Sequence, residues 1–296
     1  MIKKYVLMAA LGALLGPWSV GFAASTVNES RPADAQGAVE IYNVAGAVSV
    51  QGWDKAEVEV TGTIGKDVER VEVTGGGSHT AVRVVLHSSH GWNSDGEARL
   101  TVHVPAGSSL SCKTVSADVK VNGVRGEATL KTVSGDVDAE VGGDASAHAV
   151  SGTVHLKATA AKSIEVDTVS GDADVIGGGG EFEVTTVSGD AKVKLGNVTR
   201  ARFQSVSGTL SASLSLSAEG RLDAQSVSGD VHLEFPAPPT ADFDLQTFSG
   251  DIDNCFGPKP SESRHGSGST LSFKNGEGSA RVRVNTHSGT IRLCTK

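Results

Sequence analysis

Three cysteines are the residues best able to form a covalent link, and two of them occupy equivalent positions. Cys255 and Cys294 each lie six residues after the serine of a Ser-Gly pair, at Ser249 and Ser288. If these segments form neighbouring parallel strands, the two cysteines are close enough for a disulfide, which an oxidising compartment would allow to form. The bond would close a loop of about 39 residues and stabilise the fold by about 4 kcal/mol in the chain-entropy model. Unpaired surface thiols are the alternative, and Cys112 is predicted to be a buried free thiol.

Two histidines in the segment H-S-S-H-G-W are the first candidates for metal ligands. His87 and His90 have only Asp95 nearby in the sequence as a third ligand. Zinc sites in proteins use three or four well-placed ligands, so a solvated loop is the favoured interpretation. The sequence therefore predicts no metal site in this segment.

An aspartate lies two residues after the serine in many of the Ser-Gly or Ser-Ala pairs. Stacked carboxylates of this kind could bind calcium. Aspartate is also a good turn former, and threonine interrupts the row three times, so a role in the turn is favoured. The aspartates are Asp118, Asp136, Asp172, Asp190, Asp230 and Asp251, and the interrupting residues are Thr153, Thr209 and Thr290.

No combination of residues in the sequence predicts catalysis. The Ser-Gly pairs are too numerous and too regular to be nucleophiles, and there is no nucleophile elbow, phosphate-binding loop or Cys-His pair. We therefore expect no catalytic residue, no cofactor and no enzyme activity. A β-helix enzyme acting on acidic polysaccharide is the less favoured alternative, because the repeats are short and uniform and leave no long loops to border a cleft.

The Ser-Gly pairs mark a repeat of about nineteen residues, and this repeat predicts the fold. Apolar residues alternate with polar ones both before and after each pair, which is the periodicity of a β-strand, and the alternation changes phase at the glycine, which indicates a tight turn. The sequence therefore predicts an all-β fold, a single-stranded β-solenoid of stacked two-strand coils. The pairs are 17 to 21 residues apart, with a last step of 39, and begin at Ser116, Ser134, Ser151, Ser170, Ser188, Ser207, Ser228, Ser249 and Ser288.

The residue immediately before each serine is predicted to face outward, and it is apolar in almost every repeat. Stacking of the coils would align these residues into one exposed stripe, and exposed apolar stripes often mark binding surfaces. Burial of the stripe under another part of the chain is the alternative. The candidate stripe consists of Val115, Val133, Val150, Val169, Val187, Val206, Val227 and Phe248, with His287 in the last repeat.

Composition limits the classes of partner and the compartment. Aromatic residues make up only 4% of the 296 residues and glycines number 37, so small and β-branched residues must fill the core. The net charge is −8 and no basic cluster is present, which argues against nucleic acid as a partner. Residues 1–23 have the charged start, short apolar run and small residues of a signal peptide. We expect export to the periplasm or the cell surface, with no transmembrane anchor after cleavage.

The mature chain is expected to form one continuous solenoid in three parts. Residues 24–107 form irregular N-terminal coils and a cap, for which a separate small β domain is the alternative. Residues 108–256 form the regular array of T-V-S-G-D repeats. Residues 257–296 form a hairpin excursion, with a turn at Asn275 and Gly276, and a C-terminal capping coil.

The repeated T-V-S-G-D units, the segment I-Y-N-V-A-G-A-V-S-V-Q-G-W at 41–53 and the segment R-V-R-V-N-T-H-S-G-T-I-R-L at 281–293 resemble the bacterial putative-adhesin family of β-strand-repeat proteins. That family is defined by a domain of unknown function. The resemblance covers residues 37–296 and implies an exported or envelope-associated β-solenoid. It brings no catalytic residues with it.

Together these features predict a non-enzymatic, exported β-solenoid. We expect it to act as an adhesin or an envelope-associated binding protein, whose partner is an envelope component or another protein. A repetitive surface would supply many weak, identical contacts that add up through avidity. A structural or envelope-stress-response protein without a tight ligand is the alternative.

Overall fold

The computed structural model describes residues 25–87, 96–262 and 268–296, so the predicted signal peptide at 1–23 lies outside the described residues. Every regular element within these ranges is a β-strand. The same residues contain no helix long and apolar enough to cross a membrane. The strands are β1 Ser25–Trp53, β2 Glu57–Ile64, β3 Val68–Leu86, β4 Glu97–Pro105, β5 Ser109–Val124, β6 Ala128–Ser134, β7 Val137–Val141, β8 Ala145–Ser151, β9 Val154–Ala158, β10 Ser163–Ser170, β11 Ala173–Gly177, β12 Gly180–Ser188, β13 Ala191–Ser207, β14 Leu210–Ser228, β15 Val231–Phe235, β16 Ala241–Ser249, β17 Ile252–Asn254, β18 Ser261–Glu262, β19 Ser269–Asn275, β20 Ala280–Ser288 and β21 Ile291–Thr295.

The repeats stack in parallel, and equivalent residues lie opposite each other. Ser151 pairs with Ser134 on one side and with Ser170 on the other. The strands before the Ser-Gly pairs form one face of the stack, as in the ladder β6–β8–β10–β12. The strands after the pairs form the other face, as in β7–β9–β11. All strands belong to one 21-stranded sheet, so the architecture is a β-solenoid-like stack.

Small aliphatic side chains fill the space between the two faces. Leu130 and Val184, which the alternation places inward, are each 1% exposed. The strand segment at 145–149 contributes only alanines at its inward positions. Since each coil is thin, its apolar side chains are buried only when coils lie on both sides. A charge at either Leu130 or Val184 would remain without a partner in this core, which explains the strict alternation.

Glycine is required where the chain turns between the two faces. Gly152 has a φ of +133°, a conformation that other residues rarely adopt, and a side chain built there would lie 2.2 Å from the backbone oxygen of Gly135. The glycine of one coil therefore packs directly on the backbone of the previous glycine. This close approach explains why the Ser-Gly pair recurs in coil after coil.

The first coil of the chain is not the first coil of the stack. Residues 38–53 of β1 lie between β4 and β5 on one face and between β3 and β5 on the other. β2 runs antiparallel to β4 and to the first residues of β1, and it covers this end. The region predicted as irregular N-terminal coils thus joins the regular array directly through the β1–β5 pairing.

The C-terminal end shows the same exchange of order. β20 lies between β14 and β16, and β21 lies between β15 and β17. The last coil in the sequence therefore occupies the second-last position in the stack, which differs from the predicted C-terminal capping coil. β19 pairs antiparallel with β16 rather than with β20, so the turn at Asn275 and Gly276 carries the chain from one side of β16 to the other and does not close a hairpin.

Aromatic side chains close this end of the core. The ring of Phe273 on β19 stacks on that of Phe243 on β16 with 4.6 Å between ring centroids, and Phe256 meets both rings edge to face. β19 thereby covers the open edge of β16, where unpaired backbone groups would otherwise invite pairing with another chain.

A candidate binding stripe on the surface of the solenoid

The predicted stripe of apolar residues is exposed. Each member directly follows a buried residue that faces inward: Thr168 and Thr186, for example, are 3% and 2% exposed, and Val169 and Val187 come next. The exposed fractions of the seven valines range from 41% to 52%, and Phe248 is 68% exposed. No described part of the chain covers these side chains.

Stacking at about 4.8 Å per coil aligns the members into one continuous row. The order along the stack differs from the order in the sequence at one point. Because β20 lies between β14 and β16, His287 stands between Val227 and Phe248. The rings of His287 and Phe248 stack with 4.9 Å between centroids. The candidate stripe thus spans nine coils, about 38 Å, and ends in an aromatic pair.

A shallow groove of about 540 Å³ runs beside the C-terminal half of the stripe. One wall is formed by stripe residues. The other is a row of amide and hydroxyl side chains two residues earlier in each coil, and adjacent members of this row pair in register. The row consists of Thr185, Gln204, Gln225, Asn285 and Gln246. None of the described residues that line the groove is Asp, Glu, Lys or Arg.

Beside this half of the stripe, charged residues begin one row further out. There, Arg202 lies 3.8 Å from Glu183, and Arg283 lies 3.7 Å from Asp244, in ion pairs that link neighbouring coils. All four side chains are about half exposed, so these pairs contribute little stability. They separate the neutral groove from the more distant surface. The groove therefore offers an apolar edge and a hydrogen-bonding edge, and both are free of formal charge.

The aspartates of the turns hold successive coils together. The Oδ1 atom of Asp136 accepts a hydrogen bond from the backbone N–H of Thr153 at 2.8 Å, and Oδ1 of Asp118 accepts one from the N–H of Asp136 at 3.1 Å. The same bond links Asp190 to the N–H of Thr209. The carboxylates thus accept hydrogen bonds from the backbone of the next coil, a link between coils that adds to the turn-forming role favoured from the sequence.

The described residues do not group into a metal site. In ranges 25–87, 96–262 and 268–296, no three His, Cys, Asp or Glu side chains converge on a point that could hold a metal ion. His87 is exposed, whereas His90 and Asp95, its suggested partners, lie outside the described residues.

The cysteines occupy the positions expected from the repeat. Cys255 and Cys294 form a disulfide, with 4.9 Å between their Cα atoms. It joins the outermost coil, at β17, to the inserted coil, at β21. Cys112 is a free, fully buried cysteine, and burial raises the pKa of its thiol to about 12. The thiol is therefore protonated at neutral pH and unreactive.

One polar cluster was not predicted from the sequence. The imidazole of His148 lies 2.8 Å from Ser146 Oγ through Nε2 and 2.8 Å from Asp167 Oδ2 through Nδ1. Ser146 and His148 are on β8, and Asp167 is on β10 in the next coil. The register between these coils brings the three side chains together. His148 and Asp167 each lie three residues before the serine of their Ser-Gly pair, so their equivalent positions were a signal in the sequence that was not used.

Comparison with known proteins identifies the family. Matching solved structures include one described as a putative adhesin from Bacteroides fragilis, at 10% identity and a TM-score of 0.40, covering 91% of this chain and 97% of that chain. Another is described as a putative lipid binding protein from Parabacteroides distasonis, at 16% identity and a TM-score of 0.42, covering 90% and 96%. Curated proteins gave no match. The family model Toastrack DUF4097 matches residues 38–238 and 217–294, which is most of the sequence, and the chain therefore belongs to the Toastrack DUF4097 family.

Proposed function

We propose that this chain is an exported, adhesin-like binding protein that recognises an extended component of the cell envelope through the candidate stripe. The observation that carries the proposal is the row of eight exposed apolar side chains, from Val115 to Phe248, aligned along one side of the stack. Each coil of about nineteen residues and two strands contributes one contact. An extended partner that follows the stack would meet these contacts one after another, and avidity would supply the affinity.

The composition of the groove favours an uncharged polysaccharide as the partner. A sugar chain has apolar faces that suit the valines and hydroxyl groups that suit the amides, which both donate and accept hydrogen bonds. The stacked rings of Phe248 and His287 add a flat apolar surface at one end. A charged polymer would find no counter-charge in the groove, because its described lining has no acidic or basic residue apart from His287.

Co-sedimentation of the purified protein with bacterial envelope fractions, at low and high salt, tests this proposal. We expect binding to the polysaccharide-containing fraction that resists salt, because apolar contacts and neutral hydrogen bonds are not screened. Replacing Val133, Val169 and Val206 with lysine should abolish it. Binding that is lost at high salt, or binding that survives the three substitutions, would contradict the role of the stripe.

A matched variant controls for the added charge. Ser49, Ser211 and Ser213 are half-buried, outward-facing residues on the opposite face of the stack. Their replacement with lysine adds the same three charges away from the stripe and should leave sedimentation unchanged. If the wild-type protein binds no fraction at all, the alternative of a structural or stress-response protein without a tight ligand takes precedence.

A further inference from the structure

The cluster of Ser146, His148 and Asp167 has the geometry of a nucleophile, a base and an orienting carboxylate. Both hydrogen bonds of the imidazole are 2.8 Å long, within the range found between a nucleophile and its base and between that base and its orienting group. An ionised carboxylate can only accept hydrogen bonds, so Asp167 holds the proton on Nδ1 of His148. Nε2 is then left as the acceptor for the Ser146 hydroxyl proton, as general-base catalysis requires.

This cluster differs from the other histidine–carboxylate pairs of the described chain. Nδ1 of His103 lies 3.5 Å from a carboxylate oxygen of Glu59, and that of His155 lies 3.9 Å from a carboxylate oxygen of Asp174. In the described residues, only His148 combines a short contact to a carboxylate with a hydroxyl on its second nitrogen. The cluster is also accessible, since the side chains of His148 and Asp167 are 30% and 40% exposed.

We propose that Ser146 is an acyl-accepting nucleophile for carboxylic esters. Ser146 Oγ attacks the ester carbonyl carbon while its proton passes to Nε2 of His148. The C–O bond to the alcohol then breaks, and the alcohol leaves with the proton from Nε2. Water attacks the acyl-serine in the same way, with His148 again taking and returning one proton, so that the products are the carboxylic acid and free Ser146.

Neighbouring side chains define the surroundings of the reacting carbonyl. Lys131 pairs in register with His148, and Thr129 with Ser146, on the coil before. They lie on the side opposite Asp167 and offer a positive charge and a hydroxyl group near the oxyanion that forms. Glu165 pairs with Ser146 on the other side, which disfavours anionic substrates. The site is open, so it suits small acyl groups or esters carried on the outside of a polymer.

Ser111 provides a matched control within the same protein. It occupies the same position in its coil as Ser146, two coils away, and is similarly half-buried. At the position of His148 its coil carries Lys113, so Ser111 has no imidazole base on its own strand. A difference in reactivity between the two serines therefore reports the effect of His148 and Asp167 rather than exposure.

The experiment is acylation of the full protein with p-nitrophenyl acetate, followed by mass mapping of the acetylated serines over time. We expect Ser146 to react about 10²-fold faster than Ser111, the lower end of the range for general-base catalysis. His148→Gln and Asp167→Asn should each reduce the rate towards that of Ser111, whereas Ser111→Ala should leave it unchanged.

Two results would overturn the proposal. One is acetylation of Ser146 no faster than that of Ser111, and the other is a Ser146 rate that His148→Gln leaves unchanged. Urea unfolding of each variant shows whether the fold is intact. A phosphonylating serine probe gives an independent readout, since it should mark Ser146 in the wild-type protein and nothing in Ser146→Ala. This test involves no polysaccharide, so its outcome is independent of binding at the stripe.

Discussion

The aspartates at the turns show how a single residue type secures the stack. Each carboxylate that bonds to the next coil satisfies a backbone N–H at the corner, where strand pairing ends. Asp136 takes part in two such links, as acceptor for Thr153 and as donor to Asp118 through its own N–H. Threonine at the equivalent position still donates its backbone N–H, as Thr209 does to Oδ1 of Asp190. Threonine can thus interrupt the row without leaving its own backbone unpaired.

Replacing Asp136 with alanine should therefore lower the free energy of unfolding by about 1 kcal/mol, the usual net contribution of a hydrogen bond. Asp136→Asn should retain most of it, because the amide oxygen can still accept from Thr153. Urea denaturation measures both. Asp251 is the matched control, since it lies in the outermost parallel coil of the described residues, where β17 pairs in parallel with β21 alone. An equal loss in Asp251→Ala would argue that the turn itself, not the link between coils, explains the aspartate.

Cys112 makes stability depend on pH in the alkaline range. Burial raises the pKa of its thiol from 9.0 to about 12, so the unfolded chain releases this proton at a lower pH than the folded protein. Above pH 9 the unfolded state binds fewer protons, and stability must fall as the pH increases towards 12. We expect a loss of roughly 1 kcal/mol between pH 8 and pH 10 from this residue.

The measurement compares urea unfolding of the wild-type protein and Cys112→Ala at both pH values. The variant is less stable at either pH, because the core loses volume. Its decrease between pH 8 and pH 10 should nevertheless be smaller than that of the wild-type protein. Parallel decreases in the two proteins would show that the buried thiol does not contribute.

At the scale of elements, the sequence predicted the all-β, solenoid-like stack but not the position of the C-terminal coil within it. The alternation around each Ser-Gly pair gave the strands, the inward residues such as Leu130 and the outward valines, because one coil contacts only its neighbours. It also gave the Cys255–Cys294 pair, since equivalent positions in adjacent coils meet. The order of the coils along the stack could not be predicted from the sequence. A coil inserted into the stack has the same alternation of apolar and polar residues as a terminal coil, so the sequence of β20 is compatible with either position.

The cluster of Ser146, His148 and Asp167 was not predicted either, although the repeat contained part of the signal. Ser146 and His148 are two residues apart, an ordinary spacing on one face of a strand. Asp167 follows nineteen residues later in the next coil. His148 and Asp167 each lie three residues before the serine of their Ser-Gly pair, at Ser151 and Ser170, so the repeat places them at equivalent positions in adjacent coils. The structure pairs these two serines in that register, but equivalence of position alone does not give the hydrogen bonds between the side chains.

The inserted C-terminal coil gives the disulfide a specific role. β20 and β21 fill a slot between two coils that precede them in the sequence, so this slot can be completed only when the end of the chain arrives. The Cys255–Cys294 bond then fastens the inserted coil to the outermost one. The cross-link reduces the conformational entropy of the unfolded chain. It also holds β16 and β17, which each have only one parallel neighbour, against the stack.

Replacing both cysteines with serine should lower the free energy of unfolding by about 4 kcal/mol, the entropy expected for a closed loop of about 39 residues. Amide exchange should accelerate in β16, β17 and β21 and stay unchanged in β6 to β10, because a solenoid transmits stability mainly between adjacent coils. Reductant should have this effect on the wild-type protein and none on the double variant. Equal acceleration throughout the chain would indicate one cooperative unit instead.

At the scale of the whole molecule, stacking aligns an apolar residue that recurs once in each coil into a long surface. One exposed valine is unremarkable on any protein surface, whereas eight apolar side chains aligned over nine coils are continuous. The same stacking builds the amide row that borders the groove. A partner that lies along the stack would form each further contact as an intramolecular event, which increases the overall affinity. Continuity of the stripe, rather than any single residue, should then set the affinity.

A break in the middle of the stripe should therefore weaken binding more than a break at its end. Val187→Lys divides the row at its centre and changes one end of the groove, whereas Val115→Lys only shortens the row by one coil. We expect an affinity loss of about tenfold, ~1.4 kcal/mol, for the central change and a clearly smaller loss for the terminal one. Titration of the envelope fraction that binds the wild-type protein measures both constants. Both variants add the same charge at half-exposed valines, so equal losses would mean that the valines act as separate local contacts and not as one surface.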